Sequence, residues 1–528
     1  MRTSGWFRKT LIALAIGAPL AFAQKTAPRA IGPANRAAAR LEQIRNSPPR
    51  LRAFLEAMPK GADLHNHLLG AIYAESLIRD AAQDQLCIDP AKITLVSNIG
   101  TTRSLPPKPV CGEKNVPAAN AFKDQNLYTA LVDAFSMRSF VPSAGVSGHD
   151  QFFATFGRFQ RLDAPKHLGE WLDEVAQRAA SQNEQYLEIM HTPDFTLAAK
   201  LGYEIGWSGN LSQTREALLA KGLRRNVETD RKEIEAGEAD RLRREHCSAA
   251  EKDPACSVEI RILFQVLRGF PPEQVFAQTV LGFELASADP HVVGINFVMP
   301  EDDYITMAEY HRQMEMLDYL HSVYPKVHIS LHAGELAPGL VPPDGLKFHI
   351  REAVELGHAE RIGHGADLMY ERDAYQLLHE MAAKHIMVEI NLTSNDLILG
   401  ISGKDHPLPV YRAAHVPVAL STDDEGVSRI DLTHEYQRAV TDFGLGYDDL
   451  KSMARTSLEH SFLPGMSLWA QQDTFSRMRP ECRTAAVKPS KSCEVFLTKS
   501  EKARQEWELE RRFAVFERGR FPQAALGK

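Results

Sequence analysis

From residue 61 to residue 424 the chain alternates short apolar runs with amphipathic helical patterns, and that alternation leaves few folds open. The candidate strands are GADLHNHL (61–68), QYLEIMH (185–191), SVEIRILFQVLR (257–268), HVVGINFV (291–298), KVHISLH (326–332), RIGHG (361–365), HIMVEINL (385–392) and VPVALSTDD (416–424). Helical patterns such as EYHRQMEMLDYLHSVY and DAYQLLHEMAAK separate the later ones. Strands that alternate with helices predict a parallel sheet, and eight is the number that closes one into a (β/α)8 barrel. An open doubly wound sheet would carry a glycine-rich turn after its first strand. HNHLLGA is not such a turn. The predicted fold is therefore an α/β, TIM-type (β/α)8 barrel with helical insertions and a C-terminal helical extension.

The barrel is placed at 58–465, with inserts at 69–184 and 205–256. A linker and helix at 24–57, broken by a Pro-Pro pair, precede it. The extension at 466–528 contains EKARQEWELERRFAVFERGRF, read as an amphipathic helix docked on the barrel. The insert at 205–256 is rich in both charges. It reads either as a solvated helical excursion or as a lid or partner-binding arm, and the solvated reading is preferred for a charge run of this kind.

The first residues read as an export signal: Arg2, Arg8 and Lys9, then the apolar LIALAIGAPLAFA, with small residues before Gln24. Residues 1–23 are expected to be removed by cleavage near Ala23, leaving a periplasmic or secreted protein. The apolar run is shorter than the ~18 residues a spanning helix needs, so no stable membrane anchor is expected. Six cysteines fall as near neighbours, Cys87 with Cys111, Cys247 with Cys256 and Cys482 with Cys493. An even number in an exported chain suggests disulfides, of which local pairing is the simplest of several arrangements. Net charge is −7 with no basic stripe, which excludes a nucleic-acid partner as the leading reading. Oligomeric state is not fixed, and a homodimer stays open.

Polar residues collect at the C-terminal ends of the candidate strands, where barrel enzymes build their sites. His65 and His67 flank Asn66 on one strand face. Alone, that pair could hold a dication or satisfy local hydrogen bonds. In KVHISLHAGE, His328, Ser330 and His332 share a face, Gly334 permits a sharp turn and Glu335 follows. RIGHGAD sets His364 between glycines, and ALSTDDEG ends the last run with Asp423 and Asp424. These motifs sit at strand ends one, five, six and eight and converge only if the sheet closes. Three imidazoles and a carboxylate suit zinc, and an open coordination position would acidify a bound water. Glu335 and His364 then fit as proton handlers.

The stretches MPKGADLHNHL, SLHAGE, RIGHG and STDD, in that order, resemble the adenosine deaminase family of the amidohydrolase superfamily. MPKG with the export signal resembles its secreted growth-factor-like branch. The resemblance implies one zinc per chain held by His65, His67, His332 and Asp423. It implies attack of zinc-bound hydroxide on C6 of adenosine, with Glu335 protonating N1 and His364 positioning the nucleophile, to give inosine and ammonia. It further implies Asp424 at purine N7 and the Met299 N–H at N3. Two-metal members often bridge their metals with a modified lysine on strand four, and HVVGINFVMPEDD has none. Three positions depart from the family: Leu69 stands where many members have a ribose-binding Asp, Met299 where a glycine is usual, and Glu425 where many have Pro. Two other readings remain. One is a periplasmic metal-dependent amidohydrolase of a different substrate class, the other a nucleoside-binding protein without turnover, disfavoured because every group needed for turnover is present. The H-x-E…P-C-x-x-C zinc deaminase pattern is absent.

Overall fold

The computed structural model describes residues 33–102, 108–162, 164–483 and 488–519. The expected signal segment at 1–23 lies outside them, as does the start of the linker. Eight parallel strands run in chain order around one sheet: β1 Gly61–His67, β2 Glu184–His191, β3 Glu259–Leu267, β4 Val292–Val298, β5 His328–Ala333, β6 Arg361–His364, β7 Met387–Ile390 and β8 Val418–Leu420. Each overlaps its predicted apolar run, and helices surround the ring. The fold is the TIM (β/α)8 barrel.

Closure happens at one place. β1 and β8 meet through a bridge between Asn66 and Asp423. The Asp423 N–H donates to His65 O at 2.8 Å, and the His67 N–H donates to Asp423 O at 3.2 Å. The last predicted strand, 416–424, is trimmed to Val418–Leu420, and beyond it the backbone turns left-handed at Asp423 (φ +59°).

The N-terminal lead-in forms helices Pro33–Ile44 and Pro48–Ala57, divided at the Pro-Pro pair as expected. Lys60 of MPKG is fully buried. Its Nζ donates to Leu55 O at 2.6 Å and Met58 O at 3.1 Å, at the C-terminal end of the second helix, and to Gln182 O at 2.5 Å, just past helix Ala164–Ser181. The insert after β1 carries a small antiparallel sheet of Cys87–Asp89, Thr94–Val96 and Val116–Pro117, which no sequence pattern predicted. Disulfides join Cys87 to Cys111, Cys247 to Cys256 and Cys482 to Cys493, the local pairing.

The charged insert is more than a solvated excursion. Its helix Arg224–Arg244 buries Val227, Ile234 and Arg241. It lies so close to helix Ala164–Ser181 that a Cβ on Gly237 would meet Leu168 at 2.5 Å and one on Gly169 would meet Asp240 at 2.4 Å. Past the barrel, Leu468, Trp469, Phe475, Phe496 and Trp507 form a separate small core around Cys482–Cys493. The predicted terminal helix spans Glu501–Arg518 and docks Leu509 and Phe513 into the main core. Among the described residues no helix is long and apolar enough to cross a membrane.

Candidate active site

At the C-terminal mouth of the barrel, His65 and His67 from β1, His332 from β5 and Asp423 beyond β8 offer ligand atoms all within 4.8 Å of one another. The barrel-closing hydrogen bonds run through His65, His67 and Asp423, so closing the ring and assembling this cluster are one event.

Hydrogen bonding fixes the tautomer of each imidazole. His65 Nδ1 donates to Glu389 Oε2 at 2.6 Å. His67 Nδ1 lies 2.6 Å from Gln265 Oε1. That amide is oriented because its Nε2 donates to Thr192 Oγ1, whose own proton goes to Gln265 O. His332 Nδ1 lies 2.9 Å from Asn296 Oδ1, and the Asn296 amide is fixed by donating to Ser330 O at 3.0 Å. Each ring, when neutral, therefore carries its proton on Nδ1 and turns the Nε2 lone pair inward, the arrangement that oxygen acceptors behind the ring impose on metal-binding histidines.

The result is a knot of acceptors with no donor among them. His67 Nε2 and His332 Nε2 are 3.1 Å apart. Asp423 Oδ1 is 3.4 Å from His65 Nε2 and 3.2 Å from His67 Nε2. His65 Nε2 is buried with no hydrogen-bond partner. Four converging lone pairs in a buried site repel one another unless a cation sits between them, and three nitrogens with one carboxylate oxygen suit a borderline divalent metal. A proton on His65 Nε2 would answer the same demand in place of the cation, since the Asp423 and Glu389 carboxylates override burial and push that imidazole up to about 10. Burial, then the neighbouring His65 and His67, drives the His332 imidazole well below its ordinary range. Asp423 Oδ2 is held by Ser394 Oγ at 2.6 Å.

Around the cluster lies a cavity of about 470 Å³. Leu69, Phe152, Phe156, Trp171 and Met299 line its apolar part, and Glu335, Asp424 and Asp303 line its polar part. Burial, then Asp423 and Glu301, pushes the Glu335 carboxyl well above its ordinary range, which favours its protonated form. Asp424, raised by burial and by Asp423 to about 7, packs so tightly on Gly70 that a Cβ there would lie 1.6 Å from its Oδ1. His364 is fully buried, with its Nδ1 3.6 Å from Glu335 Oε1, and burial holds the imidazole neutral, down to about 3. Thus His65, His67, His332, Glu335, His364, Asp423, Asp424 and Met299 all gather at one mouth. His328 does not: it lies at the opening of β5, half exposed, and pairs with Glu360.

Three of these residues have positive φ: Met299 (+128°), His364 (+69°) and Asp423 (+59°). Backbone strain of this kind costs of order 1–3 kcal/mol per residue and collects at functional sites. Glu425, which replaces a usual Pro, is buried between Asn66 Nδ2 at 3.1 Å and Arg178 Nη1 at 2.6 Å, so the inserted helix Ala164–Ser181 supplies its partner. The second insert also reaches the cavity wall, where Glu233 Oε1 lies 3.0 Å from His191 Nε2. Sequence reading missed Gln265, Asn296, Glu389 and Ser394. The signal was present: Gln265, Asn296 and Glu389 are polar side chains inside otherwise apolar strands.

A parallel eight-stranded barrel whose C-terminal mouth gathers three Nδ1-locked imidazoles and a carboxylate has the architecture of the metal-dependent amidohydrolases. The chain belongs to the adenosine deaminase family, whose model, described as adenosine deaminase, matches residues 151–469. That span holds His332, Glu335, His364, Asp423 and Asp424, while His65 and His67 lie before it. An adenosine deaminase of Clostridium perfringens is 35% identical over 135 residues, 25% of this chain and 37% of its own length. An adenine deaminase of Rhizobium rhizogenes is 29% identical over 208 residues, 39% of this chain and 58% of its own length. The matches thus span less than two thirds of either relative. The Arabidopsis N6-mAMP deaminase structure superposes with a TM-score of 0.50 at 22% identity, covering 78% of this chain and 96% of its own. An amidohydrolase from Burkholderia ambifaria, solved with bound Zn, gives 0.50 at 17% identity, covering 78% and 88%.

Proposed function

We propose that the protein is an exported, zinc-dependent aminohydrolase that converts adenosine, or a close 6-aminopurine nucleoside, to the 6-oxo product and ammonia. The observation that carries this reading is the pairing of four converging metal-type donors with the buried Glu335 carboxyl on the wall of a mostly apolar cavity. His65, His67, His332 and Asp423 would hold the zinc, one ion per chain. Bound there, zinc would lower the pKa of a coordinated water toward neutrality. The apolar walls bury the purine faces and exclude bulk water. Glu335, protonated, delivers its proton to ring N1 as C6 becomes tetrahedral. His364 orients the attacking water, and Asp424 meets the N7 edge. The names of the curated relatives support deamination at a 6-aminopurine, and the neighbour solved with Zn supports the metal. The N-terminal signal pattern and the three disulfides support export.

Among the described residues that line the cavity none is Lys or Arg, whereas Asp303, Asp423 and Asp424 are there. A substrate phosphate would meet like charge without a cation. The test is ammonia release from adenine, adenosine, 2′-deoxyadenosine, N6-methyladenosine and AMP, with zinc-loaded and chelator-stripped protein. Adenosine should exceed AMP in kcat/KM by roughly 10²-fold or more, since like-charge juxtaposition costs several kcal/mol. Stripped protein should be inactive until zinc returns. Ammonia release from none of these compounds would overturn the reading.

Met299 shapes the pocket. Its backbone takes a φ that favours glycine, and its half-buried side chain lies over Gly269 at the cavity rim. Met299→Gly keeps the N–H, relieves strain and opens space. Thermal stability should hold or rise, and KM should fall most for N6- or ribose-substituted substrates. An unchanged substrate profile would remove Met299 from specificity.

A further inference from the structure

His364 sits at the end of a hydrogen-bond chain whose polarity is forced by a backbone N–H. Leu408 N donates to His406 Nδ1 at 3.1 Å, so that nitrogen can only accept. The other ring nitrogen, His406 Nε2, must then carry the proton of this neutral imidazole, which burial lowers to about 4. His406 Nε2 lies 3.1 Å from Asn395 Oδ1 and donates to it. That fixes the Asn395 amide: its Nδ2 faces His364 Nδ1 at 3.1 Å and donates. The reverse amide orientation would need His406 to accept at both nitrogens, which no protonation state of imidazole near neutral pH allows. Asn391 Nδ2, at 3.5 Å, offers the same nitrogen a second, longer contact. Glu335 Oε1, 3.6 Å away, is outside hydrogen-bond reach.

We infer that Asn395 and His406 are positioning residues that lock His364 as the Nε2–H tautomer. This is opposite to the tautomer of His65, His67 and His332, whose protons are all on Nδ1. His364 therefore contributes a hydrogen-bond donor, not a lone pair, to a mouth otherwise crowded with acceptors. Its Nε2 is buried with no partner in the protein, and its ring packs edge-on against His65 at 5.0 Å, with the His332 ring at 5.2 Å. A buried N–H without a protein acceptor is reserved for something the protein does not supply. On the proposed reaction, on which this step rests, that acceptor is the oxygen of the attacking water. The assignment gives His364 the work of holding and stabilising that oxygen, and removes it as a fifth metal ligand or as the base that takes the proton.

The test reads the tautomer directly. In long-range 1H–15N correlation spectra of the full-length protein labelled at its histidines, the His364 signals are those lost in His364→Gln. In the zinc-loaded protein, Nε2 should be protonated and Nδ1 bare. Asn395→Asp reverses the bond, because its carboxylate accepts from Nδ1–H. The His364 signals should then exchange, and kcat should fall roughly 10²–10³-fold while KM moves within about threefold and zinc content stays whole, the loss expected for one donor aimed at developing charge. His406→Ala frees the amide and should give a mixed tautomer and a smaller loss of kcat. A wild-type Nδ1–H signal overturns the inference even if Asn395→Asp does not fold. If the deaminase reading itself fails, turnover is absent throughout but the wild-type tautomer remains as stated, so the two failures are separable.

Discussion

Glu335→Gln is expected to lower kcat by about 10²–10⁴-fold while leaving fold and zinc content intact, the range lost when a positioned proton donor is removed. Two carboxyls near each other are driven apart in protonation. Burial, Asp423 and Glu301 raise the Glu335 carboxyl and favour its protonated form. Glu301, equally buried, is pulled down to about 2 by His349, Arg268 and the Gly334 N–H. Glu301 is also the anchor: its Oε1 accepts from Gly334 N at 2.9 Å and its Oε2 from Glu335 N at 2.7 Å. The backbone beneath the proton donor is thus gripped by an ionised neighbour that never competes for the proton. Glutamine keeps the shape and an N–H, so it binds the purine but cannot release a proton to N1. Its signature is a kcat loss with little change in KM. The pH profile gives a second reading. The wild type needs Glu335 protonated, so its turnover falls as pH rises through the raised pKa, and the variant lacks that alkaline limb. Steady-state ammonia release across pH, with circular dichroism as a control for folding, measures both. Turnover within tenfold of wild type would mean the proton comes from elsewhere.

The sequence carried the ring and its inward motifs because both are local. Each barrel strand is an apolar run bounded by turn residues, and each motif is a few residues at the end of one such run. The convergence of His65, His67, His332 and Asp423 was also legible, since it follows from closing eight strands. The supports were harder to see. Glu389 is one acidic residue in HIMVEINL, and nothing local says that it meets His65 Nδ1 from across the barrel. Gln265 and Asn296 differ from ordinary strand residues only by polarity at an inward position. Asn395 and His406 acquire meaning only through the backbone N–H of Leu408. The docked face of the second insert was hidden for the same reason. Charge density in 205–256 suggested solvent, whereas Gly169 and Gly237 let two helices approach and bring Glu233 to His191. Glu425 looked like a loss of the family's Pro until Arg178, from a distant insert, supplied its counter-ion.

Arg361→Met is expected to be the most damaging single change outside the metal cluster. Arg361 is almost wholly buried, at 1% exposure. Its Nη1 lies 2.7 Å from Glu188 Oε2, its Nε 2.7 Å from Glu389 Oε1, and its guanidinium stacks 3.8 Å over the Phe462 ring. Burial opposes the charge, but Glu188 and Glu389 hold the guanidinium above its ordinary range. Methionine fills much of the volume and leaves two buried carboxylates, Glu188 and Glu389, without their shared counter-ion. Breaking a buried ion pair by removing one partner costs about 3–5 kcal/mol. The effect extends beyond stability, because Glu389 is the acceptor that fixes His65 Nδ1–H. Without Arg361, Ser330 Oγ at 2.9 Å is left to orient Glu389, so the carboxylate holds the His65 ring less firmly, and weakening the partner of a metal-binding histidine lowers metal affinity by roughly 10–100-fold. Denaturant unfolding and competition for zinc against a chromogenic chelator measure the two losses separately. The double variant Glu188→Gln/Arg361→Met decides whether they share a cause. It removes one uncompensated charge, so part of the stability should return, but Glu389 still lacks Arg361 and zinc affinity should stay low. Recovery of zinc affinity in the double variant would sever the proposed link from Arg361 through Glu389 to His65.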